Sequence, residues 1–349
     1  MIYTIHFYGY KGIFKKSHIL EYIGLDDQKC QLCITCSNEC PLNRIDLLSN
    51  EDINKLNVVP SQMSFMKAGI EFADVVTTVS KGYAREIQHY PDFSNVKVIG
   101  IRNGIADSKY EFAKGSGFAD FNEGNFLAEK PKNKDMLQEK LGLKRDIDIP
   151  IICMVSRLTV VKGLEVVKGI AQDILSIPAQ LVIVGDDSDK EIRPYENFFR
   201  MLEKKNPGKC AYRNFSEELE YQTYAGADIL LMPSLSEGCG TTQILAMRYG
   251  VVPIVSMLEA FDDTVLDYKD RHRKDQGQYL DRGIGFFAYK DDCWVLLEVI
   301  KKAVEIYRDE DHSNSWNKIV EDCIKVDFSW KNGSIKEYLK LYNDLGQKR

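Results

Sequence analysis

The sequence predicts an α/β protein of two domains, each built on a parallel β-sheet. Strands and helices alternate along the chain, most regularly after residue 148, and several strands are continuous apolar runs such as "IICMV" at Ile151–Val155. A strand that is apolar at every position has both faces buried, which is typical of a parallel sheet covered by helices on both sides. A length of 349 residues is also suited to two domains of ordinary size.

The composition excludes several classes of protein. Acidic residues (52) outnumber basic ones (46), so the net charge is −6 and non-specific binding to nucleic acid is not expected. No apolar run is long enough to cross a membrane, and the first residues lack the basic head and long apolar stretch of a signal peptide. We therefore expect a cytoplasmic protein with no nucleic-acid or membrane partner, whose nine cysteines are thiols or metal ligands.

The first domain is expected to span residues 1–142. Its strands are "MIYTIH", which ends at His6, "DVVTTVS", and "VKVIGIRNGI", which leads into a turn at Asn103. Between them, "SFMKAGIEFA" and "KGYAREIQHY" have the apolar spacing of helices. Residues 107–135 are polar and Gly-rich, which predicts a long connection.

The second domain is expected over residues 143–325, followed by a C-terminal helix over 326–349 that packs back toward the first domain. Its strands are "IPIICMVS", "AQLVIVG", "CAYRNF", "DILLMPS" and "VVPIVS". Helices are expected from Gly163, over "IRPYENFFRMLEKKN", from Ser216, and over "TTQILAMRYG".

Two turns that follow strands of the second domain carry groups suited to a phosphorylated ligand. In open parallel sheets, ligands bind beyond the carboxyl ends of the strands. Arg157 and Lys162, in "SRLTVVKG", lie between a strand and a helix, where an Arg fork and a Lys charge can hold a diphosphate. The alternative is a solvated loop with two ordinary surface charges.

The second turn is "PSLSEGCGTTQ", at residues 233–243. Its glycines let the backbone approach a ligand closely, and the helix that begins near Thr241 points free N–H groups at the loop. Thr242 adds a hydroxyl, and the carboxylate of Glu237 is suited to sugar hydroxyls. Cys239 is interpreted as a packing residue, because no histidine lies near it in the sequence to activate a nucleophile. The alternative is a Gly-rich loop with an exposed acid.

His6 and Asn103 each follow a strand of the first domain. Most single histidines have no special role, but a position at the carboxyl end of a strand makes a ligand contact a reasonable interpretation. Both residues are therefore candidates.

The motifs, taken in order, resemble those of the bacterial glycogen and starch synthases, family 5 glycosyltransferases with the GT-B fold. The matching segments run through nearly the whole chain, and residues 225–253 are the most specific. They are "TIHFYGYKGIF", "FMKAGIEFADVVTTVSKGYAREI", "RNGI", "SRLTVVKGL", "AGADILLMPSLSEGCGTTQILAMRYGVVPIV", "DTVLD", "GIGFFAY" and "DFSW". The resemblance implies two Rossmann-like domains that face a cleft.

The resemblance also implies an activity and its site residues. Such an enzyme transfers glucose from ADP-glucose to the non-reducing end of an α-1,4-glucan, with retention of configuration and with no cofactor required for transfer. Arg157 and Lys162 would neutralise the diphosphate leaving group, on which charge grows in the transition state. The other implied contacts are His6, Asn103 and Glu237 on the sugar side, the ring of Phe215 on adenine, and Cys239, Gly240, Thr241 and Thr242 on glucose and phosphate.

The chain departs from the family pattern at its beginning. Members of the family carry a further segment before the equivalent of "TIH", with a Gly-Gly loop that closes on the donor, and this sequence contains no Gly-Gly pair. We therefore expect an incomplete first domain that works with a complementary N-terminal half, which is either separately encoded or missing from a truncated gene product. One alternative is a non-catalytic subunit that binds a nucleotide sugar or a glucan. The second alternative is a GT-B transferase that uses another sugar nucleotide. Leu245 argues against it, because the broader families place a second glutamate at this position.

Cys30, Cys33, Cys36 and Cys40 form a C-x2-C-x2-C-x3-C run that precedes a proline. This is the spacing of bacterial ferredoxins, but there the fourth cysteine serves a second cluster, and no second run occurs in this sequence. A tetrahedral zinc site with four thiolates is the simpler arrangement. We therefore expect a structural zinc or iron–sulfur site in a loop away from the donor chemistry, with four free thiols as the alternative.

Overall fold

The computed structural model divides into two compact units, Met1–Ile101 and Arg102–Arg349. It describes residues 1–9, 13–15, 62–106, 117–186, 193–268, 274–275, 278–279, 283–289, 292–309 and 312–347. The cysteine run at 30–40, with its expected metal, lies outside the described residues. No helix in these ranges combines the length and the apolar character that spanning a membrane requires.

The first unit contains a three-stranded parallel sheet. Its elements are β1 (Ile2–Ile5), β2 (Ile13–Lys15), β3 (Gln62–Ser64), α1 (Phe65–Phe72), β4 (Val75–Thr78), α2 (Lys81–Gln88) and β5 (Val98–Gly100). Strand β4 lies between β1 and β5 and is parallel to both, while β2 and β3 form an antiparallel pair. Both helices are capped by serine: the Oγ of Ser64 accepts the N–H of Lys67, and the Oγ of Ser80 accepts the N–H of Tyr83.

The second unit contains a six-stranded parallel sheet, whose strands alternate with helices along the chain. Its elements are α3 (Phe126–Leu141), β6 (Ile151–Arg157), α4 (Leu164–Ile174), β7 (Gln180–Asp186), α5 (Arg193–Lys205), β8 (Cys210–Asn214), α6 (Glu217–Gly226), β9 (Ile229–Met232), α7 (Thr242–Arg248), β10 (Val252–Ser256), β11 (Lys274–Asp275), β12 (Gln278–Tyr279), β13 (Phe286–Ala288), α8 (Cys293–Arg308), α9 (His312–Lys325) and α10 (Ser334–Gly346). The large sheet has the order β13-β10-β9-β6-β7-β8, and β11 and β12 form a small antiparallel pair. The strand–helix alternation predicted for this part of the chain is confirmed.

The core of the second unit is the centre of this sheet. The side chains of Ile151–Val155 in β6, Leu181–Val184 in β7 and Ile229–Met232 in β9 are all buried. Burial of consecutive residues means that both faces of these strands are covered, as the continuous apolar runs predict.

The long connection predicted over 107–135 is wrong in its second part, because helix α3 begins at Phe126. The helix is hard to recognise from its pattern because it buries polar side chains, including Lys130, Asn133 and Lys134. It belongs to the second compact unit, since it packs on α6, although the sequence places it before the boundary at 142. The domain boundaries expected from the sequence remain a prediction.

The segment before α10 is anchored to the start of the second unit. The backbone N–H of Ile105 donates to the carbonyl of Phe328 at 2.9 Å, and the Ser334 hydroxyl donates to the carbonyl of Arg102. The guanidinium of Arg102 also lies over the Phe328 ring, 4.6 Å from its centre. The expected packing of the last helix on the first domain remains a prediction.

A buried ion pair joins α3 to the start of the central strands. The Nζ of Lys134 lies 2.9 Å from Oδ2 of Asp228, and the two side chains are only 1% and 6% exposed. The same Oδ2 accepts the backbone N–H of Ile151 at 2.8 Å. Lys134 also donates to the carbonyl of Ile147 at 2.9 Å and to the hydroxyl of Tyr307 at 2.6 Å. The ammonium of Lys134 and the Oδ2 atom of Asp228 therefore each have more than one partner, as a stable buried pair requires.

A second buried lysine on α3 caps the ends of two helices. The Nζ of Lys130 donates to the carbonyls of Ala227 at 2.6 Å, Tyr249 at 2.9 Å and Tyr224 at 3.5 Å. These carbonyls follow α6 and α7 or lie in their last turns, where helices leave backbone acceptors unsatisfied. Complete burial lowers the pKa of Lys130 to about 8.

Removal of the carboxylate from the buried pair should destabilise the second unit strongly. Asp228→Ala leaves the Lys134 ammonium without its counter-charge in a dry site, and we expect the free energy of unfolding to fall by about 3–5 kcal/mol. Denaturant unfolding followed by circular dichroism measures this. The matched control is Asp135→Ala. Asp135 lies next to Lys134 in α3 and forms an exposed ion pair with Arg145, so we expect no measurable change. Equal losses in the two variants would contradict the assignment.

The depressed pKa of Lys130 predicts a rise of stability with pH. The folded state loses the lysine proton near pH 8, whereas the unfolded chain keeps it up to about 10.5. Between these values the unfolded state binds the additional proton, so a higher pH favours the folded state. We expect the free energy of unfolding of the wild type, relative to Lys130→Met, to rise by at most about 2 kcal/mol from pH 7.5 to 9.5. A flat or falling difference in urea titrations at the two pH values would be inconsistent with this pKa.

Candidate functional site

The candidate site forms where two neighbouring strands, β6 and β9, end at the carboxyl edge of the large sheet. The turns that follow them are joined by backbone: the N–H of Leu235 donates to the carbonyl of Val161 at 2.8 Å. The turn after β6 contains a short 3-10 helix, Val160–Lys162. The turn after β9 runs from Pro233 to the start of α7. The structure thus brings the two turns together, and their role as one ligand site stays a prediction.

Gly163 permits the two turns to approach. Its φ is +77°, and a Cβ at this position would overlap the carbonyl oxygen of Pro233. Any other residue would have to adopt a left-handed backbone and also displace the second turn. Gly163 is also the N-terminal cap residue of α4, as the sequence predicts for the start of this helix.

The structure pairs two residues to which the sequence gave separate roles. The ammonium of Lys162 forms an ion pair with Oε1 of Glu237, and the side chains are 22% and 12% exposed. The hydroxyl of Ser234, which is fully buried, donates to the same Oε1 at 3.1 Å. Sequence reasoning missed Ser234, although a polar residue directly after an apolar strand is a signal for it. Lys162 and Glu237 thus present one cation and one acceptor, held in place but open to a ligand.

The backbone from Gly240 to Thr242 presents a row of donors. None of the described residues accepts a hydrogen bond from the N–H groups of Gly240, Thr241 or Thr242. Gly240 has a φ of +66°, which turns the chain into α7. N–H groups that the fold leaves unpaired are suited to the oxygens of a phosphate. Beneath them lies the buried amide of Gln243, which donates to the carbonyl of Cys239 at 2.9 Å. No role is predicted for Gln243 from the sequence.

Cys239 is a packing residue in this loop. Its thiol is buried, and burial raises its pKa to about 12. The backbone N–H of Asn103 lies against the thiol, so the structure places Asn103 beside the loop, and its role as a ligand contact stays a prediction. A thiol that stays protonated at neutral pH is a poor nucleophile, which agrees with the interpretation from the sequence.

The remaining candidates occupy the carboxyl ends of other strands. Arg157 is the exposed last residue of β6, in register with the last residue of β7. Phe215 follows β8, and its ring is 45% exposed while its N–H donates to the carbonyl of Gly185 at 2.8 Å. His6 follows β1 in the first unit and is exposed. Arg157 and Phe215 therefore lie on the same edge of the large sheet as the loop at Glu237.

The described residues contain no group of three or more His, Cys, Asp or Glu side chains arranged to hold a metal ion. Five cysteines in these ranges are free thiols: Cys153, Cys210, Cys239, Cys293 and Cys323.

Two protein families match this chain. The family described as starch synthase catalytic domain matches residues 1–97, and the family described as glycosyl transferases group 1 matches residues 135–280.

Similar proteins cover the chain from end to end. The glycogen synthase of Pseudothermotoga lettingae is 33% identical over 361 residues, which is 100% of this chain and 66% of that protein. The glycogen synthase of Caldicellulosiruptor saccharolyticus is 35% identical over 358 residues, which is 99% of this chain and 66% of that protein. Among solved structures, the catalytic domain of starch synthase IV from Arabidopsis thaliana, bound to ADP and acarbose, superimposes with a TM-score of 0.77 at 26% identity, over 98% of this chain and 66% of that one.

The fold is that of the GT-B glycosyltransferases, as the sequence predicts. The chain belongs to the glycogen and starch synthase family. It spans about two thirds of the length of the relatives that it matches, 66% in each comparison above.

The thiol of Cys239 should resist alkylation in the folded protein. Only the thiolate reacts, and with a pKa of about 12 a fraction on the order of 10⁻⁴ is ionised at pH 8. We expect iodoacetamide at pH 8 to modify the partly exposed Cys293 while Cys239 stays intact, as read by mass spectrometry of tryptic peptides. The same reaction in denaturant should modify both. Equal rates in the folded state would show that Cys239 is accessible and ionised.

Proposed function

We propose that this chain carries the donor site of a retaining glucosyltransferase that moves glucose from ADP-glucose to the non-reducing end of an α-1,4-glucan. The observation that carries the proposal is the pairing of Lys162 with Glu237, whose loop continues into N–H groups that no described residue pairs, at the carboxyl edge of the sheet. We call the loop at residues 233–242, together with Lys162, the cradle. Membership in the glycogen and starch synthase family supports the choice of sugar and acceptor.

The donor's diphosphate would lie between the two turns. The N–H groups of Gly240, Thr241 and Thr242 would donate to phosphate oxygens, with Lys162 and Arg157 as the cations beside them. When the bond between glucose C1 and the phosphate oxygen breaks, ADP leaves with the bonding electrons, the acceptor hydroxyl oxygen forms the new bond to C1, and its proton passes to the departing phosphate. Charge then grows on the diphosphate, so donors and cations that are already in position stabilise the transition state more than the ground state.

The sugar and the base would lie on either side of the diphosphate. The carboxylate of Glu237, which Ser234 and Lys162 hold in place, would accept hydrogen bonds from glucose hydroxyls. The exposed ring of Phe215 offers a face on which adenine can stack. His6 and Asn103 are proposed as further contacts on the sugar side. The solved structure of starch synthase IV contains ADP and acarbose, which agrees with a nucleotide and an oligosaccharide as ligands.

Loss of Lys162 should reduce transfer far more than it reduces stability. We expect Lys162→Ala to lower the rate of glucose transfer from ADP-glucose to maltooligosaccharides by about 10² to 10³, because one preorganised group that stabilises the leaving diphosphate is removed. Released ADP is measured in a coupled assay, and the melting temperature is measured in parallel. The matched control is Lys168→Ala, an exposed lysine of the next helix paired with Glu165, which should leave the rate unchanged.

The assay is run with this chain alone and with the segment of the Caldicellulosiruptor saccharolyticus relative that the chain does not match, supplied as a separate polypeptide. Transfer in either arm that depends on Lys162 supports the proposal. ADP-glucose binding without transfer in both arms would favour the non-catalytic subunit. Absence of binding to ADP and ADP-glucose, measured by calorimetry, would overturn the proposal as a whole.

A further inference from the structure

Gln243 lies directly beneath the proposed phosphate cradle and is fully buried. Its Nε2 donates to the carbonyls of Cys239 at 2.9 Å and Gly240 at 3.1 Å, and lies 3.1 Å from Oγ1 of Thr264. The first two acceptors belong to consecutive peptide groups of the loop. Thr264 in turn donates to the carbonyl of Phe261 at 3.2 Å, which ties the amide to a second segment of the fold.

The direction of these carbonyls fixes the direction of the loop's N–H groups. A trans peptide is planar, and its C=O and N–H point in opposite directions. The carbonyl of Cys239 shares its peptide with the N–H of Gly240, and the carbonyl of Gly240 shares its peptide with the N–H of Thr241. Because Gln243 draws both carbonyls inward, both N–H groups point away from the buried amide. This explains why no described residue accepts a hydrogen bond from them.

The packing around Gly240 shows how closely the amide supports the loop. A Cβ on Gly240 would lie 2.5 Å from Oε1 of Gln243 and 3.0 Å from Cε of Met232 and Cε1 of Phe261. Oε1 itself is buried and has no hydrogen-bond partner among the described residues. A buried oxygen without a hydrogen bond costs free energy, so the favourable contacts of Gln243 are those of its Nε2 atom.

We propose that Gln243 is a positioning residue, which turns the N–H groups of Gly240 and Thr241 toward the phosphates of the donor. This inference rests on the proposed function, because it assigns the cradle to a phosphorylated ligand. A glutamate at this position would keep the volume but place a carboxylate oxygen against two carbonyl oxygens. Their repulsion would reverse one or both peptides and turn the N–H groups inward.

The test compares ADP with adenosine as ligands of Gln243→Glu and Gln243→Met. Hydrogen bonds to a charged group are each worth about tenfold to a hundredfold in affinity. We therefore expect ADP to bind each variant at least tenfold more weakly than it binds the wild type, while adenosine affinity, measured by competition, changes less than twofold. A loss that only reflects a loosened fold would weaken both ligands together. Gln243→Met keeps the test valid if the charged variant does not fold.

The matched control is Gln138→Met. Gln138 is another buried amide, which donates to the carbonyl of Asp146 at 2.9 Å and lies in α3, away from the loop. Its removal should lower the melting temperature without a selective loss of ADP. If the wild type binds ADP and both Gln243 variants bind it within twofold of the wild type, the inference is wrong and the proposed function stands. If the wild type binds no ADP, the proposed function fails and the inference fails with it.

Discussion

The close approach of two turns, at Gly163 and Pro233, is the constraint on which the candidate site depends. A side chain at Gly163 would overlap the Pro233 carbonyl oxygen, and it would separate the turn that carries Lys162 from the loop that carries Glu237. The ion pair between those residues, and the hydrogen bond from Leu235 to Val161, form only at this separation. One missing Cβ therefore lets two strand ends act as a single binding surface.

The same two strands are fixed at their opposite ends. Asp228 precedes β9, and its carboxylate accepts the N–H of Ile151 at the start of β6 while it neutralises Lys134. A buried ion pair adds little net stability over apolar packing, but breaking it is costly, so its presence resists any shift of β6 against β9. The offset between the strands decides where their carboxyl ends lie. The pair at one edge of the sheet thus helps to set the geometry of the cradle at the other.

Much of the fold and the location of the site could be predicted from local sequence signals. Apolar runs identify the central strands, and the candidate residues Arg157, Lys162 and Glu237 follow from one general rule, that parallel sheets bind ligands at the carboxyl ends of their strands. Helix α3 escaped prediction because its buried face holds Lys130 and Lys134, which a hydrophobic pattern places on the surface. Their burial depends on partners that lie far away in the sequence. These are the carbonyls of Ala227 and Tyr249 for Lys130 and the carboxylate of Asp228 for Lys134.

The strand–helix order, the two candidate loops and the resemblance to the glycogen and starch synthases could all be predicted, because they depend on short-range patterns and motif order. The contacts between these groups require the folded arrangement: Lys162 forms an ion pair with Glu237, Ser234 donates to the same carboxylate, and Gln243 donates to two carbonyls of the loop. Hydrogen bonds and ion pairs act over about 3 Å. A spacing in the sequence does not fix such distances until the sheet has aligned the strands that precede these residues.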